Sequence, residues 1–143
     1  MRGALVKIAF AALVVAGVWA ATAWPRINVV ETGRTPEYPD LQDRRYSASP
    51  ERVMQALQNA LETRPRWTVV GSGKGPAGHA LTAVHETRVF RFKDDVSVTI
   101  RRQEGRTVVH VRSQSRIGDW DFGQNARNIR ELFAALDSAL SDT

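Results

Sequence analysis

Two short runs hold the side chains with which this chain could do chemistry. Arg112, Ser113, Ser115 and Arg116 end an alternating stretch, and Asp121, Asn125 and Arg127 open an amphipathic one. Guanidinium forks, hydroxyls and the free N–H groups of a helix N-terminus together suit an anion, such as a phosphate, a carboxylate or a lipid headgroup. A second chemistry uses the same place: Asp95 or Asp121, beside the arginines, as general base of a hydrolase-like enzyme acting on a phosphoester or acyl substrate. The third reading is structural. Asp119 and Asp121 can neutralise Arg116 and Arg127, Asp95 can reach Arg112 across a hairpin, and Arg127 with Glu131 makes an i,i+4 pair. Such a network would hold a helix to a sheet and bind nothing.

Other motifs lead nowhere. Gly73 to Gly78 has the form G-x-G-x-x-G, but it leads into a strand, so no helix N-terminus is there to receive a pyrophosphate. Lys74 is followed by Gly75 where a phosphate-binding P-loop needs Ser or Thr. His79, His85 and His110 lack ligand spacing, there is no G-x-S-x-G elbow, and the chain has no cysteine. A disulfide scaffold, a thiol nucleophile and a zinc ribbon are excluded, and no metal or cofactor is expected. Glu86, Asp94 and Asp95 could form an acid pair, but adjacent acids in a tight turn read rather as solvated turn formers.

The elements that must position the arginine-rich junction follow from periodicity. Among 143 residues, 43% are apolar, but 18 of the apolar residues lie between Ala4 and Trp24. Ile8 to Trp24 carries no charge; as a helix it is about 26 Å long, against a hydrocarbon core of about 30 Å. Residues 1–24 are therefore expected to be a transmembrane anchor or a signal peptide, cleaved after Ala21-Thr22-Ala23 in the second case. Arg2 and Lys7 precede the run, which places the rest outside the cytoplasm: at the inner membrane facing the periplasm or, if cleaved, in the periplasm. The net charge of +5 falls to +3 once those two residues are set aside, with acids interspersed, and nucleic acid is not an expected partner.

Residues 25–43, with three prolines, read as an extended tether. Residues 44–143 read as one α+β domain. Ser49-Pro50-Glu51 starts a helix whose apolar face is Val53, Met54, Leu57, Ala60 and Leu61, and Pro65 stops it. Trp67 to Val70 is a short strand and 71–78 a flexible loop. Three further strands are expected over about 80–92, with a bend near Arg88, then 96–102 and 107–115; their connections at 93–95 and 103–106 are hairpin length. Ile129, Leu132, Phe133, Leu136 and Leu140 mark a second helix of about 17 residues, which Asp121 and Gln124 could cap as a D-x-x-Q box. The expectation is an antiparallel sheet of about four strands with two helices on one face, plus the N-terminal hydrophobic helix.

Particular residues resemble a known family. Thr87-Arg88, Phe92 to Val96, Val111 to Gly118 and Asp121 to Arg130 are similar to the signature of the bacterial family catalogued as domain of unknown function 1499. The resemblance spans roughly Ile27 to Leu136 and implies an exported or envelope-associated domain; it supplies no activity, cofactor or catalytic residue. Tyr46 to Val53 also resembles the first strand and helix of helix-grip lipid-binding domains, which hold apolar ligands between a sheet and a long C-terminal helix. The functional expectation is a membrane-tethered envelope domain that binds an anionic small molecule, a lipid headgroup or an envelope protein partner. The alternatives are the enzyme above and a purely structural module of an envelope complex.

Overall fold

The computed structural model describes residues 2–141. Three helices and six strands follow one another as α1 (Arg2–Ala23), β1 (Val29–Glu31), β2 (Arg44–Tyr46), α2 (Pro50–Glu62), β3 (Trp67–Gly75), β4 (Gly78–Glu86), β5 (Lys93–Gln103), β6 (Arg106–Ser115) and α3 (Gln124–Ser141). The sheet is antiparallel throughout, in the order β1-β6-β5-β4-β3, and β2 pairs with β6 beyond β1 on the same edge. The α+β class is as expected, but the sheet has six strands where four were anticipated. Both additional strands are only three residues long, too short to leave an alternating pattern.

One of them lies in the stretch expected to be a tether. Val30 pairs with Ser113 and is fully buried, and Leu41 and Thr32 are buried with it. The segment between β1 and β2 is fastened to the sheet by His110, whose Nε2 lies 2.9 Å from Glu31 Oε1 and whose Nδ1 lies 2.8 Å from Asp43 Oδ1. Thr32 adds a 2.6 Å hydrogen bond to the same Asp43 oxygen. Among the described residues, no group of His, Asp and Glu side chains is arranged to hold a metal ion.

The core lies between the sheet and the helix pair α2 and α3. Val96, Val98 and Ile100 of β5 meet Val109 and Val111 of β6 and Leu81 and Ala83 of β4, all nearly inaccessible. Against them pack Val53, Leu57 and Leu61 of α2 and Ile129, Leu132 and Leu136 of α3. These side chains fill the space that a helix-grip domain keeps open beneath its long helix. The start of α2 is as read: the Ser49 hydroxyl accepts from Arg52 N, with Pro50 in the first turn. The expected D-x-x-Q box is half present. Asp121 accepts backbone N–H groups from Gly123 and Asn125 at 2.8 Å each, while the Gln124 amide donates forward to Asn128.

Three connections differ from expectation. The 71–78 stretch is a hairpin tip, with β3 and β4 paired out to Gly75 and Gly78. β3 forms an edge of the sheet, and its ladder is broken by a bulge between Val69 and Gly71. The 80–92 strand ends at Glu86; residues 87–92 form a loop closed by Thr87 N donating to Phe92 O and Phe92 N donating to the Thr87 hydroxyl, both at 2.8 Å. Consequently 93–95 is the start of β5 instead of a turn. The β5–β6 turn is as expected: Glu104 and Gly105 both take positive φ, 50° and 75°, the form that matches strand twist in a two-residue hairpin.

On the α3 side of the β2 edge, the Tyr46 hydroxyl donates to Asp137 Oδ1 at 2.7 Å. Burial first, and then that hydrogen bond, push the phenol above its ordinary pKa. The unfolded chain ionises its tyrosines near pH 10, so this contribution is complete below about pH 10 and is lost as the pH rises beyond it. Tyr46→Phe is expected to cost about 1 kcal/mol at neutral pH. Urea unfolding across the alkaline range should show a shallower loss of stability in the variant than in the parent chain.

Among the described residues, no helix is long and apolar enough to cross a membrane. Lys7 stands in the second turn of α1, and the uncharged part of the helix, from Ile8 to its end at Ala23, spans about 24 Å. That is shorter than a hydrocarbon core of about 30 Å. The apolar side chains of α1 are nevertheless exposed along its length: Leu5, Ile8, Phe10, Leu13, Val15 and Trp19 are all at least 65% accessible.

Candidate functional site

Strand alternation divides the predicted site in two. Successive side chains of β6 point to opposite faces of the sheet, so Ser113 and Ser115 face α3 while Arg112 and Arg116 face away from it. Arg112 lies opposite Ser97 and donates to its neighbour Gln114 at 2.8 Å. Arg116 grips Asp95 through Nε and Nη2, with contacts of 2.7–3.1 Å. Those hydrogen bonds hold the Asp95 carboxyl below the usual carboxylate range and raise the guanidinium. The pairing expected between Asp95 and Arg112 is replaced by this one, because Asp95 registers with Gln114.

The structure brings the other five residues together. Asn125, fully buried in the first turn of α3, accepts from the Ser113 hydroxyl at 2.6 Å. Its amide donates to Ser115 Oγ and to the carbonyl of Asn28, both at 2.9 Å. Asp121 spends both carboxylate oxygens on the helix terminus. That occupation sets the carboxylate on N-terminal N–H groups that were expected to receive an anion. Arg127 donates to the Phe122 carbonyl and to Gln124 Oε1, with no carboxylate partner among the described residues. Glu131, its expected partner, instead accepts from the Trp67 indole at 3.0 Å and pairs with Arg64 at 3.8 Å.

Two residues outside the predicted site, Asp94 and Asn128, belong to this polar layer. Asp94, expected in a solvated turn, is 1% exposed; it accepts from the Asn128 amide at 2.8 Å, and His85 Nδ1 lies 3.8 Å from the same oxygen. Asn128 also donates to Ser113 Oγ at 3.3 Å. Residues 94, 96, 98 and 100 share one face of β5, and Asn128 stands one turn beyond Asn125 on the buried side of α3. Those two parities are the signal that could have found them.

Above the polar layer opens a pocket of about 460 Å³, between the 87–92 loop, the β6–α3 loop and the start of α3. Thr87, Arg88, Asp94, Ser115, Asp121, Gln124 and Arg127 supply its polar lining. Val89, Phe90, Phe92, Ile117, Trp120 and Phe122 supply the apolar part. Phe90 stacks on Phe92 with ring centroids 5.4 Å apart, and Trp120 on Phe122 at 4.1 Å. The Trp120 indole nitrogen is buried and has no hydrogen-bond partner. The volume falls within the range of small-molecule sites, and a mostly apolar wall with a few placed polar groups is their usual make-up.

The pocket lies where α1 joins the domain. Trp24, just beyond α1, packs against Gly123, and the Arg26 guanidinium sits 5.2 Å above the Trp120 ring. Asn28 completes the corner, its amide donating to the Gly118 carbonyl at 2.7 Å.

Fold and site together define an α+β domain with a six-stranded antiparallel sheet, two helices on one face, and a pocket at the strand–helix junction beside the N-terminal helix. The family described as "Protein of unknown function (DUF1499)" matches residues 20–136, and the chain belongs to it. No curated protein matches the chain. No solved structure matches it.

Proposed function

We propose that this protein is a non-enzymatic, membrane-tethered binding domain whose pocket takes an amphiphile: an apolar body between the aromatic loops, with a small hydrogen-bonding head on the polar layer. The observation that carries this reading is the composition of the pocket wall, with six large apolar side chains beside two buried carboxylates, Asp94 and Asp121, and two guanidiniums, Arg88 and Arg127. A purely anionic ligand fits less well than the arginine count suggested. Arg112 lies on the other face of the sheet, Arg116 is neutralised by Asp95, and Asp94 and Asp121 bring negative charge to the floor. A head that offers donors to Asp94 and acceptors to Arg127, whether zwitterionic or polyhydroxylic, matches the charges present.

The reading places the chain at the membrane through α1 as a signal anchor, with the domain on the extracytoplasmic side. The charges at Arg2 and Lys7 and the exposed apolar surface of α1 support it. Native mass spectrometry of the full chain extracted from its own membrane tests the proposal. A co-purifying amphiphile is expected, lost in Ile117→Arg, which puts a charge into the pocket mouth at a position 63% exposed and so spares the fold. Arg116→Ala should leave the adduct in place. An empty pocket in the parent chain, or an adduct indifferent to Ile117→Arg, would sink the reading.

A further inference from the structure

Five large apolar side chains stand in water at one corner of the domain: Val89 at 78% exposed, Phe90 at 74%, Ile117 at 63%, Phe122 at 48% and Phe92 at 45%. They occupy two neighbouring loops, 87–92 and the β6–α3 connection, and none serves the core. Scattered exposed apolar residues need no explanation, but a contiguous group at one end of a domain does. Cations surround the group. Arg88 and Lys93 flank the first loop with no ion pair among the described residues, Arg26 lies over Trp120, and Arg127 meets only a carbonyl and an amide oxygen. The opposing charges are Asp119, exposed on the second loop, and Asp94 and Asp121, buried in the pocket floor, while Glu86 and Asp95 are paired with Arg91 and Arg116. Apolar tips ringed by Arg and Lys are the make-up of a surface that enters the headgroup region of an anionic bilayer.

The position of α1 selects the occupant. α1 runs into the domain at this corner through Trp24, which rests on Gly123 between the second loop and Arg127, so any membrane that receives the apolar surface of α1 lies next to these loops. We infer that the 87–92 and β6–α3 loops are a membrane-docking face that dips into an anionic bilayer beside α1 and opens the pocket toward the lipid. This rests on the proposed tether for its orientation, and it names the source of the amphiphile as the bilayer itself.

The absence of cysteine makes the test direct. Phe90→Cys and, as a reference, Ala77→Cys are each labelled with an environment-sensitive fluorophore in the full chain, reconstituted into phosphatidylcholine–phosphatidylglycerol vesicles. Ala77 is exposed in the β3–β4 turn, at the far end of β4 and roughly 30 Å away along the strand. The expected result is a blue-shifted emission at 90 and several-fold stronger quenching by nitroxide-bearing lipids than at 77. The contrast should weaken in vesicles of phosphatidylcholine alone. Equal, water-like emission at both positions overturns the inference. So does a signal at 90 that changes only when another protein is added, which would make the face a protein-docking surface. Quenching at 90 with no amphiphile in the mass spectrum leaves the docking face standing and removes the pocket reading; an amphiphile without quenching does the reverse.

Discussion

Replacing Asn125 with alanine is expected to lower the stability of the domain by about 3 kcal/mol, among the larger effects of a single change in a domain of this size. The side chain is fully buried and makes three hydrogen bonds, to Ser113, Ser115 and the Asn28 carbonyl. It therefore joins β6, the approach to β1 and the start of α3 at one point. Truncation strands a hydroxyl and a carbonyl that were desolvated on the assumption of that amide, and each stranded group costs about 1–3 kcal/mol. Ser115 is only half-buried and can turn to water, so its share is small. Thermal unfolding of Asn125→Ala should fall by about 10 °C. A fall within a degree or two would mean that water reaches the layer and that the pocket floor is wetter than its burial indicates.

The second large effect belongs to Gly123. Its φ is 75°, and a Cβ there would come within 2.5 Å of Trp24 Cδ1 and 2.9 Å of its Nε1. Gly123→Ala thus combines left-handed strain of about 1–2 kcal/mol with eviction of the indole. Gly118 separates the two contributions, because it has φ 79° on the same loop and nothing within 4 Å of its missing Cβ. Gly118→Ala is expected to cost the strain alone. Gly123→Ala should cost more and should also raise the accessibility of a tryptophan to acrylamide, since Trp24 loses its seat. Equal costs with unchanged quenching would mean that α1 is not held at the pocket corner.

Much of the fold was legible because burial and period coincide. The apolar residues of α2 and α3 recur at helical spacing and do line the core, and the alternation of 96–100 and 107–111 does register across β5 and β6. Legibility failed where side-chain character has another cause. Val89, Phe90 and Phe92 look like strand residues, but they are apolar in a loop and line a pocket, so the strand was drawn six residues too long. Asp94 looks like a turn former because carboxylates are seldom buried; here the Asn128 amide and the nearby His85 receive it. β1 is invisible because three residues carry no period, and its place is set by pairing with a strand more than eighty positions away.

The candidate site was half legible for a simpler reason. Sequence proximity grouped Arg112, Ser113, Ser115 and Arg116, and the pleat separates them by parity. Reading the same run with a period of two would have sent the arginines to the open face and kept the serines with Asn125. None of the arginine–carboxylate pairs envisaged as a structural alternative forms among the described residues; the pair present is Arg116 with Asp95, on the side of the sheet away from α3. What remained next to α3 was a hydroxyl–amide–carboxylate layer, whose neighbours in space are the aromatic residues of two loops.

The broken ladder of β3 bears on how copies of this chain tolerate one another. On the proposed tether, molecules share one orientation and diffuse in a plane, so edge strands of the same polarity meet far more often than in free solution. A flat, evenly laddered edge would serve as a template for a growing intermolecular sheet. β3 gives no such template. Its backbone steps out of register after Val69, and Gly71, Gly73 and Gly75 leave one face of the outer half without side chains to interdigitate. The free edge of the sheet is built to be crowded without being copied.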